Sequence, residues 1–416
     1  MRDSVTFIHA ADLHLDAPFA GLTALSDRVG RALAEATYEA FCRIVDAAIA
    51  RKVDFVVIAG DAYNSRDKSL RAQLRFREQM VRLSQVGIGA FVVQGNHDPA
   101  NGWSAGLTLP DGVTVFPVDR VARAAIVRDG ELVAAVYGRS FSKRDVTENL
   151  ALGYHREAAD PIAIGILHTN VGSNAEYETY APATLDELRA GGMDYWALGH
   201  IHKQGVLAER PWIVYAGSPQ GLNPKETGPH GCLLVEVSSG GTVTYEHVET
   251  APIAWAQLAL DVSGVDDLDG VRALLGRACD ELLTGEGRNA IVRFTLNGRS
   301  HAHADLARPG VLGQLLDDLR IEQGMGDPWA WVDRIADRTT AVIDLDVVRA
   351  GSDFSAEVVR IADELEADGS ALTALVAEIS APVAVTLSGY EAGLTGADAL
   401  QRARDAVLDE MLGSDA

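Results

Sequence analysis

Residues 6–15 read TFIHAADLHL, a short apolar run that breaks into an aspartate and, two positions on, a histidine. Alternate residues of an extended chain point the same way, so Asp12 and His14 project together just past the end of a buried strand. The pattern recurs. DFVVIAGD (54–61) ends in Gly60-Asp61, and AFVVQGNHD (90–98) ends in Gly95-Asn96-His97-Asp98. IAIGILH (162–168) ends in His168, DYWALGHIH (194–202) ends in Gly199-His200-Ile201-His202, and WIVYAG (212–217) is a sixth run. Between the first two runs, Leu33, Tyr38, Phe41, Ile44, Val45 and Ile49 recur at helical spacing, and Leu74, Met80, Val81 and Leu83 mark a helix over 70–83. Short apolar strands alternating with helices predict an α/β domain with its sheet faces covered. CLLVEVSSGGTVTYEHV (232–248) reads as a closing hairpin that turns at Gly240-Gly241.

Beyond Pro252 the texture changes. Residues 256–260, a helix over 271–283 and a strand over 290–298 read as a strand–helix–strand unit, and beyond Thr340 the pattern is helical over 354–366, 371–379 and 397–411. Three domains are expected: 1–250, a small α+β unit over 251–340, and a helical region over 341–416.

Every polar cluster follows the C-terminal end of a strand, where ligands of α/β sheets bind. Five of the eleven histidines, two aspartates and an asparagine are expected to meet there. The glycines before Asp61, Asn96 and His200 allow tight turns and close backbone approach. Asp12, His14, Asp61, Asn96, His168, His200 and His202 supply more ligands than one ion takes, and suit two ions sharing a bridging carboxylate. The mixed nitrogen and oxygen set fits Mn²⁺, Fe²⁺ or Zn²⁺.

The 416 residues are 47% apolar and 23% charged, a globular balance that excludes wholesale disorder. Three scattered cysteines exclude a disulfide framework and a cysteine-rich zinc site, and fit a reducing cytosol. No signal peptide and no apolar run of membrane-spanning length is read, so a cytoplasmic protein with no membrane partner is expected. The net charge of −23 argues against bare phosphate as a partner, yet it is uneven: −7 over 1–250 and −16 over 251–416.

The ordered set D-x-H, G-D, G-N-H-D, H and G-H-x-H resembles the calcineurin-like metallophosphoesterase superfamily over about residues 5–250. FIHAADLHLDAPFAGL (7–22), SLRAQLRFREQM (69–80) and YAGSPQG (215–221) are similar to its bacterial DNA-repair exonuclease branch, the SbcD-like nuclease subunits. The resemblance implies a sheet sandwich covered by helices, then a small α+β capping domain and a helical C-terminal region. It assigns one metal to Asp12, His14, Asp61 and His202 and the other to Asp61, Asn96, His168 and His200, with a water or hydroxide between them attacking phosphorus. His97 is implied to protonate the leaving oxygen or steady the phosphoryl charge, and Asp98 to support the ligands from behind or order the loop without being a ligand itself. The implied activity is that of a DNA exonuclease, with endonuclease activity a further expectation. Manganese is the implied metal, an ABC-type coiled-coil ATPase the implied partner, and a homodimer the implied assembly. The alternatives are a small-molecule phosphoesterase acting on nucleotides or cyclic nucleotides, and a non-catalytic regulatory subunit of the ATPase.

Many members carry an aspartate three residues after the bridging carboxylate, where this chain has Asn64. Asn64 is expected to accept a hydrogen bond from His97 without supplying charge, leaving that imidazole less readily protonated. Elsewhere, His9 reads as a core histidine, and His301 and His303 as loop residues. His230 reads as part of a turn. Arg66, Lys68, Arg71, Arg75, Arg77 and Arg82 form the dense basic cluster, and a solvated face is favoured there over a phosphate-tracking stripe.

Overall fold

The computed structural model describes residues 3–19, 22, 26–172, 178–380 and 396–412. All ten residues named above as ligands or catalytic groups lie within that set, whereas part of the region expected to be helical over 341–416 lies outside it. In chain order the first part runs β1 (Ser4–Ala10), α1 (Asp27–Arg51), β2 (Phe55–Ala59), α2 (Leu70–Gln85), β3 (Gly89–Val93) and β4 (Val113–Val115). It continues through β5 (Ala122–Arg128), β6 (Glu131–Gly138), β7 (Ala163–His168), α3 (Leu185–Ala190), β8 (Tyr195–Gly199), β9 (Gly205–Glu209) and β10 (Trp212–Tyr215). The hairpin follows as β11 (Gly231–Ser238) and β12 (Val243–Glu249).

These strands form two six-stranded sheets, ordered β12-β11-β1-β2-β3-β4 and β5-β6-β7-β8-β10-β9. Their inner faces share one apolar layer: Val5, Phe7, Phe55, Val57 and Val93 of the first sheet pack with Ala134, Val136, Ile164, Ile166, Ala197 and Val214 of the second. Phe7 stacks on Phe55 and meets the edge of Tyr195, which closes the layer from sheet to sheet. The strand ends therefore belong to two sheets facing each other, and ligand groups converge from both.

Helices α1 and α2 cover the outer face of the first sheet, with Phe41, Ile44, Val45, Phe76, Met80 and Leu83 packed on Ile8, Val56, Ile58 and Val92. Both helices start on a serine cap: Ser26 accepts from the Val29 amide and Ser69 from the Ala72 amide, each of which contributes about 1 kcal/mol. The outer face of the second sheet is filled by Tyr137, Phe141, Tyr154, Leu188 and Trp196.

The remaining elements are β13 (Ile253–Asp261), α4 (Leu268–Glu286), β14 (Asn289–Arg299), α5 (His303–Leu306), α6 (Val311–Gln323) and β15 (Ala330–Thr340). Helices α7 (Leu345–Ala350), α8 (Phe354–Ala367), α9 (Gly369–Ser380) and α10 (Gly396–Leu412) follow. Strands β13, β14 and β15 make a three-stranded sheet in that order. The chain divides into two compact units. The first is 1–257, 281–292 and 323–333; the second is 258–280, 293–322 and 334–416. Within the first, Val29, Leu33 and Ala36 of α1 pack with Ile253, Trp255, Ile291, Trp329 and Trp331. Within the second, Arg299 pairs with Asp405 and Asp409 of α10. No helix among the described residues is long and apolar enough to cross a membrane.

Candidate metal centre

The loops leaving β1, β2, β3, β7 and β8 are laced together. The amides of Asp12, His14 and Leu15 donate to the carbonyls of Gly60, Asp61 and Ala62 at 3.0–3.1 Å. The buried Asp98 carboxylate accepts from the amides of Gly95, Asp61 and Ala62 at 2.7, 3.2 and 2.9 Å, so it joins the β2 and β3 exits. Across the sandwich, the His200 amide donates to both Asp12 carboxylate oxygens at 3.1 and 3.0 Å. His168 Nδ1 donates to the Ala59 carbonyl at 2.9 Å. This close approach explains two glycines. A Cβ at Gly199 would lie 1.9 Å from the Ala59 carbonyl oxygen, and one at Gly95 would lie 2.3 Å from Asp61 Oδ1. The loops are also strained. Asp12, His14, Asp61 and His200 all have positive φ, at 52°, 43°, 55° and 100°. Non-glycine residues rarely adopt such angles, each costing of order 1–3 kcal/mol, and they cluster at functional sites.

The seven residues expected as ligands are brought together, and six of them are less than 5% exposed or close to it. Each of the four imidazoles is held at one nitrogen by an oxygen. His14 Nδ1 bonds Asn64 Oδ1 (3.1 Å), His168 Nδ1 bonds the Ala59 carbonyl (2.9 Å), His200 Nε2 bonds the Glu178 carbonyl (2.8 Å), and His202 Nδ1 bonds Glu226 Oε1 (3.0 Å). Such anchoring fixes the tautomer and turns the second nitrogen toward a cation. The second nitrogens of His14, His168 and His202 converge on the carboxylates and on Asn96. His14 Nε2 lies 3.2 Å from His202 Nε2 and 3.9 Å from Asp61 Oδ2, while His168 Nε2 lies 3.3 Å from Asp61 Oδ2 and 2.8 Å from Asn96 Oδ1. Donor atoms of Asp12, His14 and His202 fall within 4.8 Å of one another, as do those of Asp12, Asp61 and His168, and of His14, Asp61 and His97.

Among the described residues, no lysine or arginine pairs with Asp12 or Asp61. Burial pushes the Asp12 carboxyl up to about 6, against the opposing pull of His168 and His202. Burial also pushes Asp98 up to about 7, helped by the charge of Asp61. Asp61 is held well below the usual carboxylate range because His168, His14 and His97 outweigh its burial. His14 is lowered to about 3 by burial, and His168 is raised to about 9 because Asp61 overcomes burial. Buried carboxylates facing imidazole nitrogens, with no lysine or arginine paired to them among the described residues, form a donor set that divalent cations satisfy. The residues therefore fit two ions, Asp61 lying between the groups around His14 and His168.

His97 is half-buried, its amide donating to Asp61 Oδ1 at 2.8 Å, and its ring stands edge-on to His14 at 4.8 Å. Its pKa is lowered by burial first, with His168 and Arg144 adding to the effect. The expected Asn64–His97 bond is not formed. The chain turns into a short 3-10 helix after Asn64, which directs the amide oxygen to His14 while its nitrogen donates to Asp67. Asn64 thus orients His14, and the lowered pKa of His97 comes from burial.

Glu226 carries no signal in the sequence that marks it out. It sits 24 residues beyond His202 in an irregular loop, where it takes hydrogen bonds from the Leu222 amide and the Asn223 side chain. His230 donates from Nε2 to the Glu226 carbonyl and contacts Ser218, bracing that loop. His9 is a core residue, its two nitrogens meeting the Tyr195 hydroxyl and the Leu198 carbonyl. His303 contacts Thr339, and neither His301 nor His303 joins a metal-ligating group among the described residues. Four members of the basic cluster are committed elsewhere. Arg71 and Arg75 pair with Asp16 and Glu35, Arg82 pairs with Asp46, and Arg77 donates to the Thr108 carbonyl.

Residues 5–204 match the family model of calcineurin-like phosphoesterases, and residues 255–340 match the middle domain of the metallophosphoesterase YhaO. The chain is 34% identical over 340 residues to a Bacillus subtilis protein described as an uncharacterized metallophosphoesterase, YhaO, covering 82% of this chain and 83% of that one. It is 27% identical over 291 residues to the DNA double-strand break repair protein Mre11 of Methanopyrus kandleri, covering 62% of this chain and 59% of that protein's length. It is 26% identical over 289 residues to a subunit of the nuclease SbcCD of Escherichia coli, covering 59% of this chain and 69% of that subunit.

Proposed function

The chain belongs to the calcineurin-like metallophosphoesterase family, hence to metal-dependent phosphoesterases, and from that premise we propose that it is a two-metal phosphodiesterase that degrades DNA from its ends in repair. The observation that carries the reading is the set of four imidazoles, each pinned at one nitrogen by an oxygen, with His14, His168 and His202 turning the other toward two buried carboxylates. The likeness to an archaeal double-strand break repair protein and a bacterial nuclease subunit supports DNA as substrate.

In this reading Asp12, His14, Asp61 and His202 hold one cation, and Asp61, Asn96, His168 and His200 hold the other, manganese being the preferred ion. Bound there, the pair supplies Lewis-acid charge to the phosphodiester and lowers the pKa of water. Asn64, the Ala59 and Glu178 carbonyls and Glu226 fix the four imidazoles, and Asp98 fixes the β2 and β3 loops, so that little reorganisation is left for the reaction. His97, half-buried beside the Asp61 loop, stabilises charge on the phosphoryl group or leaving oxygen. With its lowered pKa it acts mainly as a neutral hydrogen-bond donor at pH 7. The name of the Escherichia coli relative, a subunit, supports a partner, which we take to be an ABC-type coiled-coil ATPase. Three free cysteines, two of them buried, support a reducing, cytoplasmic setting.

The test compares manganese-dependent release of nucleotides from linear DNA with turnover of bis-p-nitrophenyl phosphate and cyclic nucleotides. DNA degradation lost in His97→Ala with metal uptake intact supports the nuclease. Turnover confined to the small esters overturns it in favour of a small-molecule phosphoesterase, and absence of any turnover favours a regulatory subunit.

A further inference from the structure

Beside His97 a cleft of about 500 Å³ opens, lined by Asn64, Asn96, His97, Trp103, three cationic side chains, Arg66, Lys68 and Arg144, and one carboxylate, Asp67, which accepts from the Asn64 side-chain amide. Its composition stands out on a chain of net charge −23. Arg66 and Lys68 are exposed and form no ion pair among the described residues, unlike Arg71, Arg75 and Arg82 further along. Lys68 also has a positive φ of 50°, a strained backbone for a side chain pointing at no partner of its own. Arg144 is half-buried beside His97, its guanidinium donates to the Tyr180 hydroxyl, and Glu178 and Asp145 lie near enough to stabilise its charge in part.

Trp103 is 37% exposed, whereas Trp196, Trp255, Trp329 and Trp331 are buried and Trp212 is intermediate. An exposed indole on a cleft wall offers a flat apolar face that an occupant can cover. The wall is preformed. The Ala100 and Asn101 amides donate to the Phe141 and Ser142 carbonyls at 3.0 and 3.2 Å, which ties the Trp103 segment to the one that carries Arg144. A contrast comes from the cleft of about 480 Å³ lined by Ser4, Asp54 and Arg128. There the arginine pairs with Asp54 at 2.6 Å and with the Ser4 carbonyl, so its charge is already compensated.

Three cations against one carboxylate around an exposed aromatic ring, two of those cations without an ion pair among the described residues, match the way single-stranded nucleic acid is held beside His97: bases stack and phosphates follow positive charge. We propose that this cleft is the subsite for an unstacked nucleotide of a single-stranded DNA end adjoining the scissile phosphate. Trp103 takes the base, and Arg66, Lys68 and Arg144 take the flanking phosphates. The assignment rests on the reading of the neighbouring centre as a DNA phosphodiesterase, and it names the form of DNA that centre accepts. Duplex bases are already stacked on one another and have no face free for Trp103, so an end must fray before it enters.

The experiment uses the full chain freed of metal with a chelator and titrated with a short oligothymidylate, following protection of tryptophan fluorescence from acrylamide. Saturable protection is expected in the wild type. Trp103→Leu loses it together with about tenfold in affinity, and Trp103→Phe, which keeps a stacking face, restores most of the affinity. Lys68→Gln and Arg144→Gln each lower the salt dependence of binding by about one unit of slope. With manganese present, the Trp103→Leu loss in kcat/KM is about tenfold larger for the oligonucleotide than for bis-p-nitrophenyl phosphate. Wild-type affinity in Trp103→Leu, or unchanged salt slopes in both cation variants, overturns the subsite even if DNA is degraded. Binding through Trp103 by a protein that leaves DNA intact keeps the subsite and removes the nuclease reading.

Discussion

His9 and His14 lie five residues apart, one inside β1 and one just past its end; both are buried, and burial lowers the pKa of each to about 3. Their surroundings differ in one respect. His9 spends both ring nitrogens inside the protein, on the Tyr195 hydroxyl and the Leu198 carbonyl, and so ties β1 to β8. His14 spends one on Asn64 and turns the other to His202 Nε2 at 3.2 Å. With Nδ1 of each ring committed to a side-chain oxygen, the two Nε2 atoms face each other near the Asp61 carboxylate, a pairing that a bound cation would replace. The interior of β1 closes the polar groups of His9, whereas its exit turns the second nitrogen of His14 toward the other groups of the site. What separates His9 from His14 is therefore the second nitrogen, since burial and pKa are alike for these two; at His168 the neighbouring Asp61 carboxylate raises the pKa instead.

The comparison breaks or holds most visibly at Asp61, the carboxylate shared by the groups at the strand exits. Asp61→Asn is expected to lower phosphodiester turnover about a thousandfold, the equivalent of several kcal/mol of lost charge stabilisation. Turnover within about tenfold of wild type would remove Asp61 from the centre. Glu226→Gln, which keeps the shape of the His202 anchor and drops its charge, is expected to cost about 10- to 100-fold in metal affinity and activity. Metal titrations of the two proteins check this, and identical affinity would make Glu226 a loop brace only.

The smallest effect on activity is expected at His9. His9→Gln is expected to leave kcat unchanged while costing about 1–3 kcal/mol of stability in urea titrations at neutral pH. The sign of its pH dependence follows from the lowered pKa. Between the unfolded value of 6.5 and the folded value of about 3, the unfolded chain binds the proton more tightly. The His9 contribution is therefore complete above about pH 6.5 and drains away as pH falls toward about 3. The gap between wild type and His9→Gln should narrow over that window. A gap that widens on acidification would mean that His9 is charged in the folded protein.

Much of this was legible in the sequence because strand and ligand signals coincide there. The apolar runs around Phe7, Val56, Val92, Ile166 and Ala197 are buried strands, and each ends at the residue that leaves the sheet. Strands β5 and β9 were not readable, because their residues are only half-covered and alternate weakly, with Ile126 and Val127 offset by a register shift. Pairings between distant loops were equally invisible. Nothing local to Glu226 or Asn64 says which histidine it holds, and the partner of Asn64 proved to be His14, because the turn after Tyr63 aims the amide there. The basic cluster looked uniform as sequence. Only the acids of α1 and the Asp16 turn show which arginines are already neutralised.

The central claim is that the open nitrogens and carboxylates at the strand exits hold a pair of divalent cations. Calorimetric titration of the chelator-treated full chain with manganese tests it directly. The account predicts uptake of two ions per chain, with at least one lost in Asp61→Asn and both retained in His9→Gln. Absence of uptake, or an Asp61→Asn titration that overlays the wild type, would contradict it.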